Sequence, residues 1–378
     1  MRSWFTSCVA GLALTVLSGC ANTPPSDAPE EYPAAEVRMR GKSPNEKNFK
    51  VVRVHYATDR QATGSDQPEK KFGSGRGNLA FGVCDVSIPL DHRPGEIESP
   101  AIWRLEFRAD PEKHVVLQSI KEQDKADFFS ALAERVKSSK GRKMFVFIHG
   151  YNVSFENAAR RTAQISYDLD TELGFDIAPI FYSWPSQASL GGYTVDEANI
   201  EWSQPNLKLF LVNLAERMDS NQIYVVAHSM GSRATVRALA ALMTERPELS
   251  KKFREIILMA PDVDADVFKR DIAPGLLSGG RPLTLYASAK DKALIASKKV
   301  HGNPRLGEAG ANITIIPGLE TIDASNVETD LLGHSYYAYA SSVLTDVKEI
   351  IQGLGRATQR SRLDEVIERI GRYWKVRP

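Results

Sequence analysis

The chain has 378 residues, of which 42% are hydrophobic and 25% charged, an ordinary balance for a globular protein with a sizeable core. Forty-eight lysines and arginines against 47 aspartates and glutamates leave a formal net charge of +1, with no basic cluster, which argues against a nucleic-acid partner. None of the seven histidines falls in HExxH or another zinc spacing, so no metal and no organic cofactor is expected.

At the N-terminus Arg2 precedes a mostly apolar run over 4–17, too short for an ordinary transmembrane helix and of the length of a secretory signal. The run ends in Leu17-Ser18-Gly19-Cys20, which resembles the lipobox of bacterial lipoproteins. That resemblance implies a signal peptide over 1–19, acylation of Cys20 as the first mature residue and, with Ala21 rather than aspartate after it, an outer-membrane anchor facing the periplasm. Acyl chains would hold the chain at the membrane, since each buried methylene adds about 0.8 kcal/mol. Residues 20–49, rich in Pro, Ala, Glu and Ser, read as a disordered tether.

With Cys8 removed and Cys20 lipidated, Cys84 would stand alone, leaving no intrachain disulfide. It lies in the apolar run Leu79-Ala80-Phe81-Gly82-Val83-Cys84-Asp85-Val86 and reads as a small buried hydrophobe.

Residues 50–378 are expected to form one domain. Its first section, 50–140, is read as mainly antiparallel β: a strand at 51–57, a polar glycine loop at 73–77, and strand-like runs at 79–88, 102–107 and 114–120. A helix through Phe128, Phe129, Leu132 and Val136 follows. The glycines lead into a strand and not a helix, which excludes a phosphate cradle.

From 141 to 345 short apolar strands alternate with helical patterns, the signature of a mainly parallel sheet covered by helices on both faces. Strands are expected at 145–148, 177–182, 223–226, 256–259, 283–286 and 313–316. A polar and aromatic insertion through 183–202 is expected to precede a helix carrying Leu207, Phe210, Leu211 and Leu214. Two packing helices are expected in the tail, which closes with the section 346–378, one through Val343, Val347, Ile350 and Ile351, the other through Leu363, Val366, Ile367, Ile370 and Trp374.

The chemistry centres on Ala227-His228-Ser229-Met230-Gly231, between the strand at 223–226 and a helix with Val236, Leu239, Ala240 and Leu242 on one face. This is a GxSxG elbow with Ala227 for the first glycine, a turn that projects a serine over a helix N-terminus. A serine needs a base, and the base an orienting acid. In α/β-hydrolases they follow in the order serine, acid, histidine. Asp291, in the loop after the strand at 283–286, is the favoured acid; Asp262, after the strand at 256–259, is the alternative. His334 is the base, ahead of His301, read as a loop residue, and His228, read as structural. Ile148-His149-Gly150-Tyr151-Asn152 resembles the oxyanion loop of α/β-hydrolases, which implies the backbone N–H groups of Tyr151 and Met230 as donors. Asn152, Trp184 and Tyr193 are candidate substrate contacts, the latter two as a pocket wall.

The segments Tyr56-Ala57-Thr58-Asp59-Arg60, Phe147-Ile148-His149-Gly150-Tyr151-Asn152, Tyr182-Ser183-Trp184-Pro185-Ser186 and Ala227-His228-Ser229-Met230-Gly231 together resemble a bacterial family of largely uncharacterised, esterase-like α/β-hydrolases. The resemblance implies that fold over roughly 50–345, and a membrane-anchored serine hydrolase of small carboxylic esters or thioesters. Peptidase or acyltransferase chemistry would share the acyl-enzyme. The contrasting expectation is a non-catalytic binding or envelope-organising lipoprotein that keeps the fold.

Overall fold

The computed structural model describes residues 48–100, 106, 108–174, 176–327 and 341–377. The expected signal peptide, Cys20, His334 and all of the tether but Asn48 and Phe49 lie outside the described residues, as does most of the expected strand at 102–107; Phe49 already belongs to the first strand.

Strands β1 (Phe49–Ala62), β2 (Phe72–Pro89) and β3 (Val116–Gln123) pair antiparallel, as the first section predicts. Helix α1 (Lys125–Ser138) follows. An alternating series comes next: β4 (Met144–Ile148), α2 (Phe155–Leu173), β5 (Ala178–Ser183), α3 (Tyr193–Arg217), β6 (Ile223–His228), α4 (Gly231–Glu245), β7 (Phe253–Met259) and β8 (Leu283–Ala287). Helix α5 (Lys292–His301), β9 (Leu319–Asp323), α6 (Ser341–Gln352), β10 (Leu363–Glu368) and β11 (Gly371–Val376) complete the described chain. One eleven-stranded sheet results, in the order β10-β11-β9-β8-β7-β6-β4-β5-β1-β2-β3. From β9 through β1 every neighbouring pair is parallel.

The unbroken apolar runs of the central strands explain their position. Met144-Phe145-Val146-Phe147-Ile148 is buried at every residue because both sheet faces are covered. Val146, Ile148, Val225, Ala227 and Leu258 share one cluster with Phe128 of α1, Leu207 and Phe210 of α3, and Val236 and Leu239 of α4. Phe145, Phe147, Tyr224, Val226, Ile257 and Met259 join the opposite cluster, with Phe155, Ala158 and Ala159 of α2 and Val343, Val347, Ile350 and Ile351 of α6. Cys84 is a free, buried thiol in that second cluster.

Four expectations are corrected. The glycine-rich 73–77 stretch is not a loop but the first part of β2, its register to β1 shifting between Thr58 and Ala62. The 183–202 insertion shrinks to residues 184–192, because α3 starts at Tyr193 and runs through Pro205. The apolar run 313–316 is irregular, and the strand at that sheet position is the more polar Leu319–Asp323, all five residues buried. Gly318, at φ +89°, turns the chain between the two, and Thr321 Oγ1 donates to Thr314 O at 2.6 Å. The last apolar stripe is not a helix but the hairpin β10–β11, with Trp374 and Lys375 paired to Ile322 and Asp323 of β9. Gly371, at φ +132°, opens the second strand, and Tyr373, Trp374 and Val376 are buried while Ile367 and Ile370 stay exposed.

The hairpin is preceded by a buried ionic cluster. Arg360 donates to Asp346 of α6 at 3.0 Å and to Glu320 of β9 at 2.9 Å. Tyr286 donates to the same Asp346, and Glu255 of β7 accepts from Thr284 at 2.8 Å. Burial pushes the Glu255 carboxyl up to about 8. It also lifts Asp346 to about 6, against the pull of Arg360. The cluster lies below the strands' carboxyl ends, where the candidate site is built.

Candidate active site

Strand β6 ends at His228, and the chain turns at Ser229, whose φ of +50° is left-handed for a residue with a side chain. Such a backbone costs about 1–3 kcal/mol and persists only where its surroundings enforce it. Here they do. Ser229 N–H donates to Met259 O of β7 at 2.9 Å, and its carbonyl accepts from Asp262 N at 3.2 Å and Ser232 N at 3.0 Å.

Two glycines make room for the turn. A Cβ on Gly231 would stand 2.2 Å from His149 O, and one on Gly150 would stand 2.9 Å from Ser229 Cβ. Ala227, in place of the pattern's first glycine, is fully buried between Ile148 and Leu258. The serine therefore sits at the carboxyl ends of parallel strands, against the loop after β4 and at the start of α4.

That loop, 149–153, has most of its polar groups engaged. His149 O accepts from Trp184 Nε1 at 2.8 Å, and the two rings stack 5.0 Å apart at 16°. His149 Nδ1 donates to Gly150 O at 2.8 Å, which leaves Nε2 to accept from Ser183 Oγ at 3.1 Å. Burial, with Arg60 alongside, brings the His149 imidazole down to about 3, so the ring is neutral at physiological pH. Asn152, at φ +58°, directs its N–H to Asp196 at 3.4 Å; Val153 N–H goes to Ser186 Oγ at 3.1 Å. Among the described residues neither Tyr151 N–H nor Met230 N–H meets an acceptor.

The two candidate acids separate clearly. Asp262 is almost fully buried. One carboxylate oxygen accepts from Tyr193 OH at 2.6 Å and Arg233 at 2.9 Å; the other accepts from Ser297 at 2.6 Å and Arg305 at 2.8 Å. Burial alone would raise its pKa, yet Arg233 and Arg305 override that and hold it down at about 2. Both oxygens are thus committed to a fixed network.

Asp291, fully buried after β8, accepts from Leu294 N at 3.0 Å and caps α5. Asp264, two residues beyond Asp262, caps the short helical turn at 265–267 by accepting from Asp266 N and Val267 N. Backbone bonds tie the three loops together. Asp262 N donates to Ser229 O, Gly307 N to Pro261 O, and Ser288 N to Gly307 O. His301 is the last residue of α5, not a loop residue, and it meets Glu197 at 2.6 Å.

Among the expected substrate contacts Trp184 is corrected. It is fully buried, its ring stacked on His149 and its Nε1 donating to His149 O. Tyr193 is half-buried at the start of α3; its hydroxyl is spent on Asp262, Ser297 and Arg233, while its ring meets Tyr151 edge-on at 5.3 Å. Tyr151 in turn donates to the carbonyls of Ser189 and Leu190, strapping the 184–192 loop over it. Asn152 is half-buried beside them. Arg60, Ser186, Asp196, Arg233 and Arg305 escaped the sequence reading. The available signal, for Arg60 and Ser186, was their place in the segments that carry the family resemblance, which assigns them no role. Among the described residues no three His, Cys, Asp or Glu side chains gather as a metal site would require.

Comparison with known proteins gives one family and several distant likenesses. An uncharacterized protein of Nostoc sp. is 26% identical over 142 residues, 32% of this chain and 37% of the relative, so the match spans little more than a third of that protein's length. Among solved structures, an esterase from the archaeon Pyrobaculum calidifontis aligns at 12% identity and TM-score 0.35, over 82% of this chain and 87% of its own. Lipase B of Aspergillus fumigatus aligns at 13% and 0.34, over 56% and 52%. At these scores the likenesses say nothing of activity. The family profile of alpha/beta hydrolases of unknown function, DUF900, matches residues 124–352, more than half of the chain and all of the elements around Ser229, and the chain belongs to that family.

Proposed function

We propose that this α/β-hydrolase cleaves carboxylic esters or thioesters through an acyl-enzyme on Ser229. The observation that carries the reading is the left-handed Ser229 turn set between two N–H groups, of Tyr151 and Met230, that have no acceptor among the described residues. A buried donor left without a partner costs about 1–3 kcal/mol, and an oxyanion forming there would remove that cost in the transition state.

In this reading His334 takes the Ser229 proton as Oγ bonds to the acyl carbon, and the carbonyl electrons move onto the oxygen facing Tyr151 and Met230. Collapse breaks the bond to the leaving alcohol or thiol, which receives the proton from His334. Water, deprotonated by the same imidazole, then releases the acid. Asp291 orients the imidazole; the Asp262 carboxylate, held by two arginines, a tyrosine and a serine, has no oxygen to spare for it. Asn152 and the Tyr151–Tyr193 pair flank the acyl group.

A fluorophosphonate probe tests the proposal. Labelling of the wild type that disappears in Ser229→Ala is the expected result, and well-folded wild type that takes no label would favour the non-catalytic binding protein instead. Anchoring through an acylated Cys20, at the outer membrane facing the periplasm, is a separate part of the proposal. Incorporation of labelled palmitate that survives Cys20→Ser would defeat it.

A further inference from the structure

Arg60 is 2% exposed, and among the described residues no carboxylate pairs with it. Its guanidinium nonetheless uses all five donors. Nε meets Ser183 Oγ at 2.8 Å; Nη1 meets Gly73 O and Ser186 O, both at 3.0 Å; Nη2 meets Val153 O at 2.6 Å and His149 Nε2 at 3.4 Å. Burial of so charged a group is costly enough to lower its pKa to about 9, with Asp59 and Asp196 offsetting part of the cost. A cation kept under such a penalty, and spent on five uncharged acceptors, calls for an explanation other than charge neutralisation.

Those acceptors supply one. Two belong to the loop after β4, one to the last residue of β5, one to the segment after it and one to β2. Ser186, whose carbonyl Arg60 holds, accepts Val153 N–H on its own hydroxyl and donates that hydroxyl to Asp196 at 2.6 Å. Asp196 also takes Asn152 N–H and Gln187 N–H. The loop that carries Tyr151 is therefore gripped on the Val153 and His149 side by the guanidinium and on the Asn152 and Val153 side by Asp196 and Ser186. Asn152 N–H and Val153 N–H are both engaged in this way, whereas Tyr151 N–H meets no acceptor among the described residues.

We propose that Arg60 is a positioning residue for the oxyanion site. It fixes the 149–153 loop so that Tyr151 N–H stands where negative charge develops, with Ser186 and Asp196 as the opposing half of the same clamp. The inference rests on the serine-hydrolase reading and deepens it. A flat fork with five donors can span these acceptors at once, whereas an ammonium with three cannot. Because the loop acts only when the oxyanion forms, its displacement weakens transition-state binding more than substrate binding.

The test uses the full-length protein with Arg60→Gln, Arg60→Lys and Ser186→Ala. Three quantities are measured per folded active site: kcat and KM on a p-nitrophenyl ester, and the inhibition constant of a trifluoromethyl ketone, whose serine adduct carries an oxyanion. Arg60→Gln should lower kcat about tenfold or more, by analogy with loss or misplacement of an oxyanion donor, and raise the ketone constant by a similar factor, while KM moves less than about twofold. Arg60→Lys should recover little, and Ser186→Ala should fall between. A merely structural role would lower the yield of folded protein or its Tm and leave the kcat of each folded site intact. If Arg60→Gln does not fold, Ser186→Ala and Arg60→Lys carry the same comparison. Folded variants with kcat and ketone constant within about twofold of wild type overturn the clamp. If wild type labels with the fluorophosphonate and Ser229→Ala is dead, that failure touches the clamp alone. If Ser229→Ala keeps full turnover, the serine reading has failed and the clamp's catalytic role falls with it.

Discussion

Asp262 and Asp291 are both buried aspartates in loops after strands, and only their partners tell them apart. Asp262 answers two guanidiniums, so Asp262→Asn leaves Arg233 and Arg305 facing a neutral group and should destabilise the fold by about 3–5 kcal/mol, read from urea denaturation. Its stabilising contribution, with a folded pKa of about 2 below the ordinary value of 3.8, is present above pH 4 and lost as the pH falls toward 2. Asp291→Asn keeps most of a helix cap, which is worth about 1 kcal/mol, and should instead remove most turnover. A stable Asp262→Asn variant with lost activity, beside a fully active Asp291→Asn, would exchange their roles. The sequence could place both residues in loops at strand ends and no further. Arg305 lies 43 positions from Asp262 and Arg233 lies 29, and nothing local to either aspartate announces them.

At the scale of elements, the central strands were readable because burial on both faces demands an unbroken apolar run, as in residues 144–148 and 223–226. The same rule misled at 313–316. Those residues are apolar enough for a strand, while the true strand Leu319–Asp323 carries Glu320 and Asp323, whose buried charges are answered from outside the strand by Arg360 and Ser325. The last stripe misled for a related reason. Leu363, Val366, Ile367 and Ile370 fit a helical period, but two of the four are exposed, and the buried side chains of the hairpin's second strand are Tyr373, Trp374 and Val376. Within 313–316, Thr314 is fully buried and its hydroxyl has no partner among the described residues. Thr314→Val keeps the shape and removes the unsatisfied oxygen, so it should raise stability by about 1 kcal/mol, seen as a higher Tm in a thermal melt. A loss of that size would mean that the hydroxyl is bonded in solution.

For the whole molecule, the cluster of Glu255, Glu320 and Asp346 around Arg360, with Arg356 3.8 Å from Glu320 at its rim, links stability to pH far from the site. Glu255 keeps its proton in the folded protein up to about 8, whereas in the unfolded chain it ionises near its ordinary 4.5. The unfolded state therefore releases a proton first. The folded state loses stability relative to it as the pH rises from about 4.5 toward 8, and no further above that. Asp346, raised to about 6, adds a smaller loss in the same direction, ending nearer pH 6. Tm measured across this range should fall in the wild type and stay flatter in Glu255→Gln; parallel curves for the two proteins would refute the assignment. Helices on both faces and the mixed sheet were foreseeable from alternation alone. A cluster drawn from β7, β8, β9, α6 and the segment before the hairpin was not, because it exists only once five distant pieces have met.

Under the proposed serine mechanism, the left-handed turn at Ser229 has a consequence for how activity is born. Its shape is dictated by Met259 on one neighbouring strand and by the Gly150 loop on the other, so a chain still emerging or half-assembled owns only an ordinary, inert alcohol there. Reactivity toward a fluorophosphonate should consequently return last in a refolding time course, after far-ultraviolet dichroism has recovered. The enzyme would in this way stay silent until the middle of its sheet has closed.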